Sequence, residues 1–149
     1  MMQTKSHVKS ASQGVALVEF ALILPLLLVL TFITTEFGRA LYQYNTVTKS
    51  VRDAVRYLSV QTPGSDSTVA RNLIVHGNPG GTGAPLVIGL SAANVATPTW
   101  RSTGSNPQID VVTVRVTGYR FTPLISGFGG VNFNAFTFSD ITASMRVTS

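Results

Sequence analysis

The chain has 149 residues, eleven basic and six acidic side chains, a formal net charge of +5 and no cysteine. That length allows one membrane helix and one small domain, and the missing cysteines exclude a disulfide framework, a lipoprotein thiol and a thiolate metal site. With Lys5 and Lys9 assigned to a short basic leader, nine basic side chains face six acidic ones, an excess too diffuse to argue for nucleic acid.

The leader closes at Gly14, and from Val15 to Ile33 the sequence is almost unbroken apolar. About 19 residues of helix at ~1.5 Å per residue cover ~28 Å, close to the ~30 Å hydrocarbon thickness of a bilayer. A buried core helix is the alternative, but the rest of the chain carries too little apolar surface to wrap so uniform a rod. Lys5 and Lys9 act as positive-inside determinants, placing the N-terminus in the cytoplasm and the segment after the span outside. Pro25 removes the helix hydrogen bond to the Ala21 carbonyl and is expected to kink the membrane helix, a break that packed neighbours can compensate.

Three membrane readings compete: a cleaved secretory signal, a plain anchor and a type IV pilin-like precursor. Gly38-Arg39-Ala40 offers a small-x-small site for the first. Against it, the run exceeds the ~7–15 residue core of a signal peptide, and Glu36 and Arg39 continue its helical periodicity. Glu19 separates the other two. A carboxylate among apolar residues costs up to ~2.5–3.5 kcal/mol at mid-membrane and less near the surface, and a plain anchor has no use for it. Cleavage after Gly14 would give Val15 a free α-amine, a group that ordinarily titrates near pH ~8, only ~6 Å along the helix from Glu19. That amine could pair with the carboxylate of its own or a neighbouring subunit, so Gly14 and Val15 are the expected processing site and Val15 with Glu19 the expected assembly ion pair.

Gly14 followed by Val15-Ala16-Leu17-Val18-Glu19-Phe20, then Leu24-Pro25-Leu26-Leu27, Glu36-Phe37-Gly38-Arg39 and Arg52-Asp53-Ala54-Val55-Arg56-Tyr57, resembles the TadE-like minor pilins or pseudopilins of bacterial tight-adherence (Flp, type IVc) pili. The likeness returns in Val112–Thr117, Phe121–Leu124 and Ala143–Val147, while residues 61–107 match no pattern. The resemblance implies processing by a prepilin peptidase, retention in the inner membrane by a single pass through the lipid bilayer, and partnership with major and minor pilins and an inner-membrane assembly platform. It implies a role in pilus assembly and surface adherence. An uncleaved single-pass accessory protein of an envelope secretion or pilus machine is the alternative.

The expected organisation is a leader over 1–14, a transmembrane helix over 15–35, an amphipathic continuation over 36–60 and a small exported α+β domain over 61–149. Phe37, Leu41, Tyr44, Thr48, Val51, Val55 and Leu58 fall at alternating spacings of four and three, one stripe of a helix. Thr62-Pro63-Gly64-Ser65 ends that helix, and Ser65 or Asp66 is expected to cap a shorter one over Thr68–Val75. Gly77–Pro85 reads as an irregular loop. It has the glycines of a phosphate-binding loop but lacks the Lys-Ser or Lys-Thr that such a loop requires.

Leu86–Ile88 and Asn94–Trp100 are expected to be strands. Val112, Val114 and Val116 alternate with polar residues, as do Ile141, Ala143, Met145 and Val147, which predicts two half-buried strands that pair. A parity change between Val131, Phe133 and Ala135 on one side and Phe136 and Phe138 on the other predicts a break near Ala135. The sum is an α+β fold: a long N-terminal helix packed by its distal half on a small antiparallel β-sheet. His76 is the one imidazole outside the leader, and Asp66, Asp110 and Asp140 are scattered near element boundaries, where capping or turn roles fit them. No catalytic or metal-binding constellation, cofactor or enzyme activity is therefore expected. Trp100 and Tyr119 are expected to be buried in the sheet domain.

Overall fold

The computed structural model describes residues 7–65 and 67–148, with side chains from Gly14 onward; Lys5 and Asp66 lie outside the described residues, as does the side chain of Lys9. The chain divides into two units, one comprising the sequence up to Gly38 with Leu124–Phe133, the other Arg39–Pro123 with Asn134–Ser149.

Helix α1 (His7–Leu58) is 52 residues long and runs through Pro25 without interruption. Its apolar stretch is rich in Leu, Ala and Val and contains hydroxyls that satisfy themselves: Thr31, Thr34 and Thr35 each donate to the carbonyl four residues back, at 2.8–2.9 Å. Between Val15 and Ile33 every side chain is exposed except Val29 and Phe32. In the same unit a two-residue strand pair, β4 (Gly127–Phe128) with β5 (Val131–Asn132), forms a hairpin. Gly129 and Gly130, with φ of 59° and 84°, make its turn, the left-handed pair that a two-residue hairpin favours.

In the second unit the distal part of α1 packs into a core with the sheet. Val47, Val51, Ala54, Val55 and Leu58 cluster with Val112, Val114, Val116, Tyr119 and Ile141. The buried face, however, is not quite the expected stripe. Ala40, Gln43, Val47, Ser50 and Val51 lie inward, while Phe37 and Leu41 are exposed. Hydrophobicity alone misplaces the proximal half because polar Glu36, Gln43 and Ser50 occupy buried positions with their hydrogen bonds met.

Helix α2 (Thr68–His76) starts from Ser67, not from Ser65, and no side chain caps it; Gly77, at φ 74°, closes it in the left-handed conformation and donates to the Leu73 carbonyl. The Ser65 hydroxyl is buried without a partner. Strands β1 (Thr99–Thr103), β2 (Ile109–Val116) and β7 (Ile141–Arg146) form an antiparallel sheet in the order β1-β2-β7. Val112 faces Met145 and Val116 faces Ile141 in the β2–β7 ladder, the expected pairing. Two short strands, β3 (Arg120–Phe121) and β6 (Phe136–Thr137), pair separately, and residues 133–135 between β5 and β6 are the expected break.

Two expected strands do not form. Leu86–Ile88 follows a lid-like course in which the Leu86 N–H donates to the Val75 carbonyl and Val87 drops into the core, so it buries apolar surface without a ladder partner. Over Asn94–Trp100, only Thr99 and Trp100 are strand; Ala92–Asn94 is a 3-10 turn held by the Asn94 carboxamide on the Ser91 N–H and hydroxyl, and Val95 makes a lone bridge to Val116.

Leu58 is fully buried at the end of α1, so Leu58→Ala should cost about 2–5 kcal/mol. Chemical unfolding of the detergent-solubilised protein, followed by the fluorescence of Trp100, the one tryptophan, measures this.

Candidate functional site

Helical geometry brings three of the sequence-predicted residues together. Val15, Val18, Glu19 and Leu22 recur at helical spacing and, with Gly14, line one open apolar groove on α1. Among the described residues the Glu19 carboxylate has no hydrogen bond or ion pair. Gly14 sits inside regular helix, and a Cβ built there meets nothing within 4 Å. Neither a close contact nor a left-handed backbone requires glycine at this position, and within a helix it costs ~1 kcal/mol relative to alanine. The fold thus gives no reason for either Gly14 or Glu19. Pro25 lies three positions beyond Leu22 within the exposed apolar part of α1, outside this groove.

A second feature was not anticipated. The β4–β5 hairpin rests on α1 inside the apolar run: the Phe128 ring meets Phe32 edge-on at 5.1 Å, and a Cβ on Gly129 would stand 2.9 Å from the Val29 methyl. At its base the Leu124 N–H donates to Glu36 Oε1 at 3.2 Å. The Gly129-Gly130 pair between Phe128 and Val131 is the signal that could have found it.

In the other unit Tyr119 ties the sheet domain to the stalk. Its hydroxyl donates to Gln43 Oε1 at 2.7 Å, with the Ile88 carbonyl 3.2 Å away as a second acceptor. Phe138 stacks on Tyr119 at 5.6 Å and touches Tyr44 at 5.4 Å, and the Arg39 guanidinium lies 5.5 Å over Phe121. Burial pushes the Tyr119 hydroxyl above the usual tyrosine pKa, with the Arg39 charge opposing.

The glycine loop after α2 is pinned by its own side chains. His76 Nδ1 donates to the Gly83 carbonyl at 2.9 Å, Asn78 bonds both His76 and Thr82 carbonyls, and Asn72 donates to Pro79. The imidazole is therefore a structural donor. Asp110 lies within β2 and accepts from Ser102 across the ladder, and Asp140 pairs loosely with Arg115 at 3.8 Å on the surface. Among the described residues no cluster of potential metal ligands occurs.

Residues 14–56 match the family model for TadE-like protein, a match that begins at Gly14 and covers the apolar helix and the stalk. The likeness is confined to this segment, and residues 57–149 lie outside it. No curated protein and no solved structure matches the chain.

Tyr119→Phe leaves the buried Gln43 oxygen without its donor and should cost about 1–3 kcal/mol. Because the folded-state pKa is raised, the folded protein holds this proton more tightly than the unfolded chain. The contribution is complete below about pH 10 and is lost as pH climbs through the higher folded value. Denaturation midpoints by circular dichroism should fall above about pH 10 in the wild type and fall less in Tyr119→Phe.

Proposed function

We propose that this chain, TadE-like from its membrane helix through its stalk, is a minor pilin or pseudopilin of a bacterial tight-adherence (type IVc, Flp) pilus. It is cut by a prepilin peptidase between Gly14 and Val15, held in the inner membrane with its leader cytoplasmic and its sheet domain exported, and acts in pilus assembly and adherence. The observation that carries this reading is that Gly14 and Glu19 share one exposed helical face and serve nothing in the fold. A glycine where alanine would suit the helix better makes sense for an enzyme that must pull the backbone extended, because glycine resists unwinding least. A carboxylate without a partner makes sense if the partner is created later, as the Val15 amine.

The assembled partners are other pilins and the inner-membrane platform. Exposed apolar side chains from Val15 to Ile33 provide a surface that lipid covers before assembly and neighbouring helices cover afterwards. The resident ion pair within a subunit or between neighbours neutralises two charges that would each be costly alone in the membrane.

Co-expressed with its peptidase, the wild-type protein should lose residues 1–14, whereas Gly14→Leu should remain full length; intact mass of the membrane-extracted protein reads both. Retention of the leader in the wild type would reassign the chain to an uncleaved accessory anchor.

Glu19→Gln keeps size and hydrogen bonding but removes the charge. The variant should be exported with a folded domain yet fail to support piliation or to co-purify with pilus subunits, while Arg115→Gln, changed on the exposed surface, should behave as wild type. Pilus counts and adherence in a strain carrying only the Glu19→Gln copy decide the matter, and wild-type numbers would remove this role.

A further inference from the structure

Residues 121–139 contain no Asp, Glu, Lys, Arg or His, are flanked by Arg120 and Asp140, and hold five of the eight phenylalanines of the chain. Within that stretch the β4–β5 hairpin descends along α1 toward the N-terminus. Its base is fixed at Glu36 by the Leu124 N–H, and its tip reaches Phe32 and then Val29. At ~1.5 Å per residue those two positions lie about 6 and about 10 Å below Glu36, and about 26 and about 21 Å above Val15. Both are therefore within the ~30 Å of helix that hydrocarbon would surround. Exposed apolar side chains continue along it, Leu124 at 72% and Val131 at 38%, beside the exposed polar Ser126 and Asn132.

We infer that residues 124–133 form a membrane-inserted foot, seated in the boundary between hydrocarbon and headgroups of the leaflet on the exported side. The inference rests on the membrane reading of α1. Its occupant is lipid, because the apolar tip is continuous with the one surface of the chain that lipid covers. The depth also suits the backbone. Irregular chain exposed to deep hydrocarbon is not tolerated, whereas apolar elements settle ~5–10 Å into the interface. The hairpin meets part of its own polar demand through the β4–β5 pairing and the Phe133 N–H on the Ser126 carbonyl at 2.9 Å. Glycine at 129 lets the turn lie flat on Val29, where a side chain would collide. The foot gives the exported end of the helix a second lipid attachment beside the span itself.

The chain has no cysteine, so single cysteines placed by Leu124→Cys, Val131→Cys, Leu24→Cys and Ser105→Cys can each carry an environment-sensitive NBD probe without background labelling. The full chain is reconstituted in phosphatidylcholine–phosphatidylglycerol vesicles containing nitroxide-labelled lipids. Probes at 124 and 131 should shift to shorter wavelength and lose most of their emission to nitroxides placed high on the acyl chain, and lose less to nitroxides at the chain end. The probe at 24 should respond most to the deep nitroxides, and the probe at 105 to neither. Unquenched probes at 124 and 131 beside a quenched probe at 24 would overturn the foot and leave the membrane span standing. A wavelength shift at 124 and 131 without quenching would mean that another subunit covers the hairpin, which also overturns it. An unquenched probe at 24 would bring down the span and the foot together.

Discussion

Nearly twenty consecutive side chains of α1, from Val15 to Ile33, find almost no cover within the chain, and the remainder of the architecture answers to that. Each large aliphatic side chain left in water forfeits roughly 1.5–3 kcal/mol of burial, a gain open to any apolar surroundings that cover the run. The apolar half is long and apolar enough to cross a membrane, and the sheet domain builds its core on the distal half. It does so by giving that half a different face, where Val47, Val51, Val55 and Leu58 enter the same core as Val112, Val114 and Val116. The changeover from exposed to buried side chains along α1 comes where the first buried polar side chains appear, at Glu36 and Gln43.

Those polar residues explain why the sequence is legible in some places and opaque in others. Period-two alternation in Val112–Val116 reports one buried face directly, and the β2–β7 ladder follows from it, although along Ile141–Val147 only Ile141 is buried, Ala143 and Val147 are half-buried and Met145 is exposed. The stalk stripe is read correctly from Val51 to Leu58 and wrongly at Phe37 and Leu41, because hydropathy counts Gln43 as outward. In the fold its carboxamide meets a tyrosine hydroxyl 76 positions later in the chain, and no local pattern announces such a partner. Leu86–Ile88 fails for a related reason: an apolar triplet can be buried by capping a core as well as by joining a sheet, and only the long-range hydrogen bond from Leu86 to Val75 distinguishes the two.

The groove residues stand out in the sequence for the opposite reason, through their misfit. Gly14 in a helix and Glu19 in an apolar run each contradict what local preference would choose, and residues that break local rules without a fold-based return are where function is expected. The hairpin on Val29 and Phe32 was missed although its glycine pair was in plain view, because the parity of Val131–Phe138 registers a break without indicating what the preceding residues rest against.

The position of Gly14 within regular helix has an electrostatic consequence. With the chain intact, the amides of Val15 to Val18 donate to carbonyls of the preceding turn, and the positive end of the helix dipole lies upstream at His7. Severing the Gly14–Val15 bond, as proposed, would move that end to Val15, turn its amide into an ammonium group, leave the amides of Ala16, Leu17 and Val18 without acceptors, and bring roughly half a unit of positive charge from the helix end close to Glu19. Such a cut would repolarise the end of the helix, and an acid that is a burden in the longer helix would become a complement to the shorter one.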